Sequence, residues 1–358
     1  MKLSGLNLIR ELSCAFGPSG CEDAVREIIM EQIKGDCDTY TVDKAGNLIA
    51  TIRGRGIDYN PENPRRIMLS SHMDEVGFMI KEITDEGYLK FGVVGGIDPR
   101  VLCGRHVLVG EGKRQIQGVI ASKAIHLQTA EERTKTTPIA KMYIDIGAKD
   151  GDDARKYVSV GDCATFDSDF VTFGKDGLAM KGKALDDRAG CAMLIEIMRD
   201  LRANPCDLPF DVCFAFTCCE EVGISGANVA AFGIKPDTAI ILEATGVNDL
   251  PGAGRNAVSI QGEGGTLSLA DRGTIYDMGF VDFARRTAER KGLKCQIKQA
   301  VSGGTDAAHI QRTLTGIRVL GLSLPTRYIH SASCVARYED YEQSRDLVIA
   351  MLRDWKLD

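Results

Sequence analysis

Residues 181–191 read Lys-Gly-Lys-Ala-Leu-Asp-Asp-Arg-Ala-Gly-Cys. A short extended run ends at two adjacent acids, Asp186 and Asp187, and an apolar helical pattern follows in Ala192, Leu194, Ile195, Ile197 and Met198. A strand feeding a buried helix is α/β architecture. Two carboxylates at such a junction repel each other and lose hydration. A cation relieves both penalties without filling the pocket. Alone, the pair also fits an Asp helix cap followed by a solvated acid, so the surrounding chain has to decide.

The same texture recurs in both directions. The apolar strand Ile67–Ser71 runs into His72-Met-Asp74. Phe210–Phe216 ends at Glu220-Glu221, Thr238–Leu242 ends at Glu243, and His330 lies in a loop after the strand Gly316–Leu322. Helical periodicity covers Asn7–Ala15, Glu22–Ile33, Phe280–Lys291, Ala307–Arg312 and Tyr341–Trp355. Apolar strands alternating with helices predict an α/β fold, with a central sheet covered by helices on both faces.

From about Phe78 to about Phe170 the pattern changes to short alternating segments separated by glycines. This predicts an all-β insertion at 74–170, splitting a discontinuous domain of 1–73 and 171–358. His106 and His126 fall inside the insertion and read as structural or surface residues.

Open α/β sheets gather ligands at the carboxyl ends of their strands. His72, Glu220, Glu221, Glu243 and His330 would converge there with Asp186. Imidazoles mixed with carboxylates suit zinc, cobalt or manganese rather than magnesium or calcium. One acid bridging two metals, with one imidazole and one carboxylate on each, makes a two-metal site. The remaining member of Glu220-Glu221 is then free as a general base towards water. Asp74 suits the acid that orients His72.

The 358 residues exceed the usual span of one hydrophobic core, and 44% hydrophobic and 26% charged residues describe a globular chain. A net charge of −6 with interspersed signs leaves no nucleic-acid tract and no anionic-membrane binder. No signal-peptide core and no membrane-length apolar run is present, so a cytoplasmic protein is expected. The 12 cysteines are scattered and, in a reducing compartment, read mostly as small apolar fillers. Cys218 and Cys219, beside the paired acids, read as strand packing.

With these motifs in view, the chain resembles the tetrahedral (TET), or glutamyl, aminopeptidase family of di-zinc metallopeptidases, some once labelled endoglucanases. The likeness rests on S-S-H-M-D-E-V-G-F (70–78), G-G-I-D-P-R-V-L-C-G (95–104), K-A-L-D-D-R-A-G (183–190), C-E-E-V-G (219–223), S-G-G-T-D-A (302–307) and P-T-R-Y-I-H-S (325–331), in order along nearly the whole chain. The resemblance implies a mixed sheet of the zinc-peptidase kind. It implies that Asp186 bridges the metals and is joined to Asp187 by a cis peptide, that His72 and Glu243 hold one metal, that His330 and Glu221 hold the other, and that Glu220 is the general base. Glu243 departs from the Asp common in the family. The resemblance further implies a barrel-like insertion that dimerises, dimers assembling into a hollow dodecamer, and short peptides as substrates. Two other reactions remain open from sequence: deacylation of N-acyl amino acids on the same di-metal core, and metal-free glycoside hydrolysis by a carboxylate pair.

Overall fold

The computed structural model describes residues 2–175, 177–254 and 257–355. The strands run β1 (Thr39–Val42), β2 (Leu48–Ile52), β3 (Arg66–His72), β4 (Gly77–Ile83), β5 (Leu89–Val94), β6 (His106–Val109), β7 (Ile116–Ala121), β8 (Tyr143–Asp145), β9 (Cys163–Phe166), β10 (Val171–Phe173), β11 (Ala179–Gly182), β12 (Asp211–Thr217), β13 (Thr238–Gly246), β14 (Gly265–Leu267), β15 (Cys295–Ile297), β16 (Arg318–Arg327) and β17 (Cys334–Arg337). The helices are α1 (Gly5–Cys14), α2 (Asp23–Ile33), α3 (Ala130–Arg133), α4 (Gly151–Ala154), α5 (Leu185–Ala203), α6 (Ser225–Ile234), α7 (Met278–Lys291), α8 (Ala307–Ile310) and α9 (Tyr338–Asp354). Among the described residues, no helix is long and apolar enough to cross a membrane.

The large sheet has the order β1-β2-β12-β3-β13-β16-β17-β11-β10, with β14 and β15 attached beside β16. Its middle strands β12, β3, β13 and β16 are parallel to one another, and antiparallel strands flank them. The mixed sheet is therefore parallel where it is most buried: β12 is buried along its whole length and β3 from Ile67 onward. Such strands read as continuous apolar runs because both faces are covered.

Adjacent residues on a strand point to opposite faces, and β3 shows which helices cover each. Ser70 bonds Asp306 at the start of α8, while Ser71 bonds Asp187 in α5. α5, with α1, α2 and α9 around it, thus covers one face, and α8, with α6, covers the other. The parallel register aligns Phe216 with Ser71 and Thr217 with His72, so β12 and β3 end together.

Between β3 and β10 the chain forms a closed barrel, β4-β5-β8-β7-β6-β9, with its own core around Phe78, Phe91 and Phe166. The three rings meet edge to face, with centroids 5.2 Å apart for both Phe78 pairs, a geometry that aromatic quadrupoles favour. His106 and His126 are exposed.

Two strands extend further than the sequence indicates. β13 continues through Glu243 to Gly246, and β16 continues through Pro325 to Arg327. Pro325 is tolerated because β14 pairs with β16 only at Leu322 and Ser323, and β17 only from Thr326, which leaves the proline in the gap. The reading of the cysteines as fillers fails for two of them. Cys21 and Cys163, 142 residues apart in sequence, are joined as a disulfide between the N-terminal turn and barrel strand β9.

Candidate metal centre

The carboxyl ends of the parallel strands deliver the side chains that the sequence singles out. His72 is the last residue of β3, Glu220 and Glu221 follow β12, and Glu243 lies in β13. Asp186 is supplied by the non-helical first turn of α5, where the Asp186–Asp187 peptide is cis. His330 comes from the β16–β17 loop, in which Tyr328 and His330 both take left-handed backbone angles (φ 57° and 59°). The sequence separates these groups by up to 258 positions (330 − 72), and the sheet brings them to one point.

Asp186 lies at the middle. Its Oδ1 is 3.2 Å from His72 Nε2 and its Oδ2 is 3.1 Å from His330 Nε2. His72 Nε2 is also 3.3 Å from Glu243 Oε1, and His330 Nε2 is 3.3 Å from Glu221 Oε1. Two clusters therefore share one carboxylate: His72–Asp186–Glu243 and His330–Asp186–Glu221.

The far nitrogen of each imidazole is committed. His330 Nδ1 donates to the Gly96 carbonyl at 2.8 Å. His72 Nδ1 faces the Asp74 carbonyl at 3.1 Å and Asp74 Oδ1 at 3.3 Å. A neutral ring whose Nδ1 donates has a lone pair on Nε2. Each lone pair would then face carboxylate oxygens, acceptor against acceptor. A proton, carried by the ring or by a carboxyl, or a metal ion between them resolves this.

Titration behaviour states the same need. Burial alone would lower His72, yet Glu243, Asp186 and Asp74 outweigh it and hold its pKa well above the usual value. His330 is raised to about 9 against its own burial by Asp186 and Glu221. Burial lifts Glu220 to about 9, with Asp306 and the neighbouring acids adding to it, and lifts Glu221 to about 7. Glu221 Oε1 is buried without a hydrogen-bond partner. Two sets of three ligand atoms converge within 4.8 Å, His72–Asp186–Glu221 and His72–Asp187–Glu243, and such mixed nitrogen and oxygen donors fit borderline divalent cations.

Asp74 does not line the cavity. It is fully buried behind the centre, and its carboxylate accepts from Glu220 N–H (3.0 Å), Glu221 N–H (3.1 Å) and Ser19 Oγ (2.6 Å). It fixes the paired acids through their backbone. Glu22 adds a bond from Cys219 N–H at 3.1 Å. Asp187 is turned inward, bonded by Ser71 Oγ and by Gly190 N–H at 3.1 Å. A Cβ at Gly190 would lie 2.5 Å from the Asp187 carboxylate, so only glycine fits there.

The centre opens into a cavity of about 540 Å³ lined by Asp186, Glu220, Glu221, Glu243 and His330 on one side and by Lys298 and Ser302–Thr305 on another.

The profile of the M42 glutamyl aminopeptidases matches residues 46–347. The chain belongs to this family. A protein of Acetivibrio thermocellus that carries an aminopeptidase name is 34% identical over 343 residues, 96% of this chain and 97% of its own. The TET aminopeptidase of the marine sediment archaeon Thaumarchaeota archaeon SCGC AB-539-E09 superposes with a TM-score of 0.92 at 34% identity, covering 98% of this chain and 97% of the other. The TET1 peptidase of Pyrococcus horikoshii, which assembles into a tetrahedron or a large octahedral shell, superposes with a TM-score of 0.85 at 35% identity, covering 97% and 99%. The M42 chain described here is an aminopeptidase, a hydrolase of the metallopeptidase class.

Sequence reasoning missed Ser19, Glu22 and Lys298. The first two act on residues 55 and 197 positions away, Ser19 through its hydroxyl on the Asp74 carboxylate and Glu22 through its carboxylate on Cys219 N–H. Lys298 belongs to no motif.

Proposed function

We propose that this M42 enzyme releases N-terminal residues from short peptides with two divalent cations, zinc or cobalt, with manganese an alternative. His72 and Glu243 would hold one, His330 and Glu221 the other, and Asp186 would bridge them. When bound, such a pair supplies Lewis-acid polarisation of a carbonyl and acidification of water. The observation that carries the reading is the convergence of two imidazole Nε2 atoms on the two oxygens of one shared carboxylate, each with a second carboxylate 3.3 Å away.

The remaining steps belong to the chain. The surplus of carboxylates at the cavity wall attracts the substrate's α-ammonium. Glu220, held by its backbone against Asp74 but with its side chain at the cavity, takes the proton of the attacking water and returns it to the leaving amine. Asp74 is a positioning residue. Fixing Glu220 and Glu221 through two backbone bonds preserves the spacing of base and ligand.

Glu220→Gln tests the mechanism. It should keep its cations, measured by plasma emission spectrometry, and lose about 10²–10⁴-fold in kcat on aminoacyl p-nitroanilides. Near-normal turnover in that variant excludes Glu220 as the base. Comparing free with N-acylated substrates separates an aminopeptidase from a deacylase.

The barrel, as an inserted module at 74–170 between 1–73 and 171–358, is proposed as the dimerisation surface of a cytoplasmic homododecamer. The dodecamer of one solved relative, PhTET1-12s, and the tetrahedral or octahedral shells of the Pyrococcus horikoshii TET1 peptidase support the homo-oligomeric part of this reading.

A further inference from the structure

Among the described residues the chain has one covalent crosslink, Cys21–Cys163. Its place bears on the centre. Cys21 stands between the two N-terminal side chains that support the site. Ser19, two positions before it, donates to the Asp74 carboxylate at 2.6 Å, and Glu22, the next residue, accepts from Cys219 N–H at 3.1 Å. Cys163 opens barrel strand β9 and pairs there with Met79 of β4.

The segment that joins β3 to β4 carries Asp74 and touches both crosslinked pieces. Glu75 N–H donates to the Gly17 carbonyl at 3.0 Å, and Ser19 N–H donates to the Glu75 carbonyl at 3.3 Å. At Gly77, the first residue of β4, an added Cβ would lie 2.7 Å from the Ala164 carbonyl oxygen and 2.9 Å from the Pro18 ring. Turn, connecting segment and β9 therefore meet at one point. Past Ser19 the turn bonds mainly to itself: Cys21 N–H to the Pro18 carbonyl at 2.8 Å and Gly20 N–H to Glu22 Oε1 at 2.9 Å. The disulfide adds the covalent tie to the barrel.

Resting on the reading of Glu220 as base and Glu221 as ligand, we infer that Cys21 and Cys163 are positioning residues for catalysis: their disulfide clamps the N-terminal turn to the barrel, the clamp keeps Ser19 and Glu22 on Asp74 and Cys219, and Asp74 in turn holds Glu220 and Glu221. The clamp opens by thiol–disulfide exchange with a small dithiol. One thiolate of the dithiol attacks the Cys21 sulfur, which is half-buried, whereas Cys163 is only 3% exposed. A mixed disulfide forms, and the Cys163 thiolate leaves and takes up a proton. The second thiol of the dithiol then displaces Cys21 and closes a cyclic disulfide. Two electrons and two protons pass from the dithiol to the protein, and two thiols replace one S–S bond.

The test follows the crosslink and the kinetics on one sample of intact enzyme. Peptide mapping without reductant should find Cys21 joined to Cys163 after exposure to oxidised glutathione and should lose the crosslink after dithiothreitol. The reductant is then removed, and kcat, KM and cation content are measured on an aminoacyl p-nitroanilide. Reduction should lower kcat per cation-loaded subunit by about ten- to a hundredfold, the scale of a displacement of up to about 1 Å at the base, with KM little changed. Oxidised glutathione should restore it. Cys21→Ser and Cys163→Ser should each match the reduced enzyme and no longer respond to dithiothreitol. Because the clamp acts through Ser19, reduction should cost Ser19→Ala less than it costs the wild type. Absence of the crosslink in the oxidised enzyme, an undiminished kcat after its loss, or an equal cost in Ser19→Ala and wild type overturns the inference. A loss that oxidised glutathione does not restore, and that comes with loss of the cooperative melting transition, marks the bond as purely structural and overturns it too. A cation-loaded enzyme that cleaves no substrate in either redox state refutes the aminopeptidase reading instead.

Discussion

Asp74→Ala removes the acceptor on which the paired acids hang. In the native protein this carboxylate receives Glu220 N–H, Glu221 N–H and Ser19 Oγ and faces His72 Nδ1. Alanine leaves two backbone donors without a partner at a site that is 0% exposed. An unsatisfied buried donor costs ~1–3 kcal/mol, so two give roughly 2–6 kcal/mol, towards the lower end if a water enters the vacated space. Asp74→Asn should fall between, because its amide keeps one acceptor and presents a donor to one of the two N–H groups. Glu220 and Glu221 lose their common anchor together. A displacement of about 1 Å costs on the order of 10²-fold in turnover. The assay is kcat on an aminoacyl p-nitroanilide with cation content and the denaturation midpoint measured on the same sample. Turnover within twofold of wild type together with an unchanged midpoint would refute the positioning role, and so would an Asn variant more damaged than the Ala variant.

Asp249 and Arg327 form a two-pronged ion pair (2.7 and 2.8 Å) at the base of the His330 loop. Arg327 holds the Asp249 carboxyl below its ordinary pKa. Its stabilisation is therefore complete above the unfolded value of about 3.9 and is lost as pH falls through the folded value. The gap in denaturation midpoint between wild type and Asp249→Asn should be constant from pH 8 to about 5 and should close below about 4; a gap that widens on acidification contradicts this. Gly95→Ala places a Cβ at φ 81°, 2.8 Å from Val76 and 3.3 Å from Glu221. Left-handed strain of about 1–3 kcal/mol and a pushed Glu221 should lower both stability and cation content; a variant normal in both counts against Glu221 as a ligand.

The layered sheet is legible because β3, β12 and β13 are buried on both faces and so read as unbroken apolar runs that stop at polar residues. The same contrast exposes His72, Glu220 and Glu221. The end of β13 is hidden, because Ala244-Thr-Gly246 looks like a turn and only its pairing with Leu324–Thr326 shows it to be strand. Pro325 conceals the end of β16 for the reason given by the gap in its pairing. The supports of the site are invisible for another reason. Ser19 and Glu22 act through single hydrogen bonds from an N-terminal turn, with neither periodicity nor spacing to announce them. The Cys21–Cys163 link likewise joins two unremarkable positions through the tertiary fold alone.

The carbonyl of Gly96, leaving barrel strand β5, clasps the outer nitrogen of His330. The small module thus reaches into the reaction chamber and sets which ring nitrogen is offered inward. Exchanging modules between relatives is consequently not a neutral graft. A chimera must import the Gly95–Gly96 corner intact, or the imidazole loses its tautomeric lock while every proposed ligand is still in the sequence.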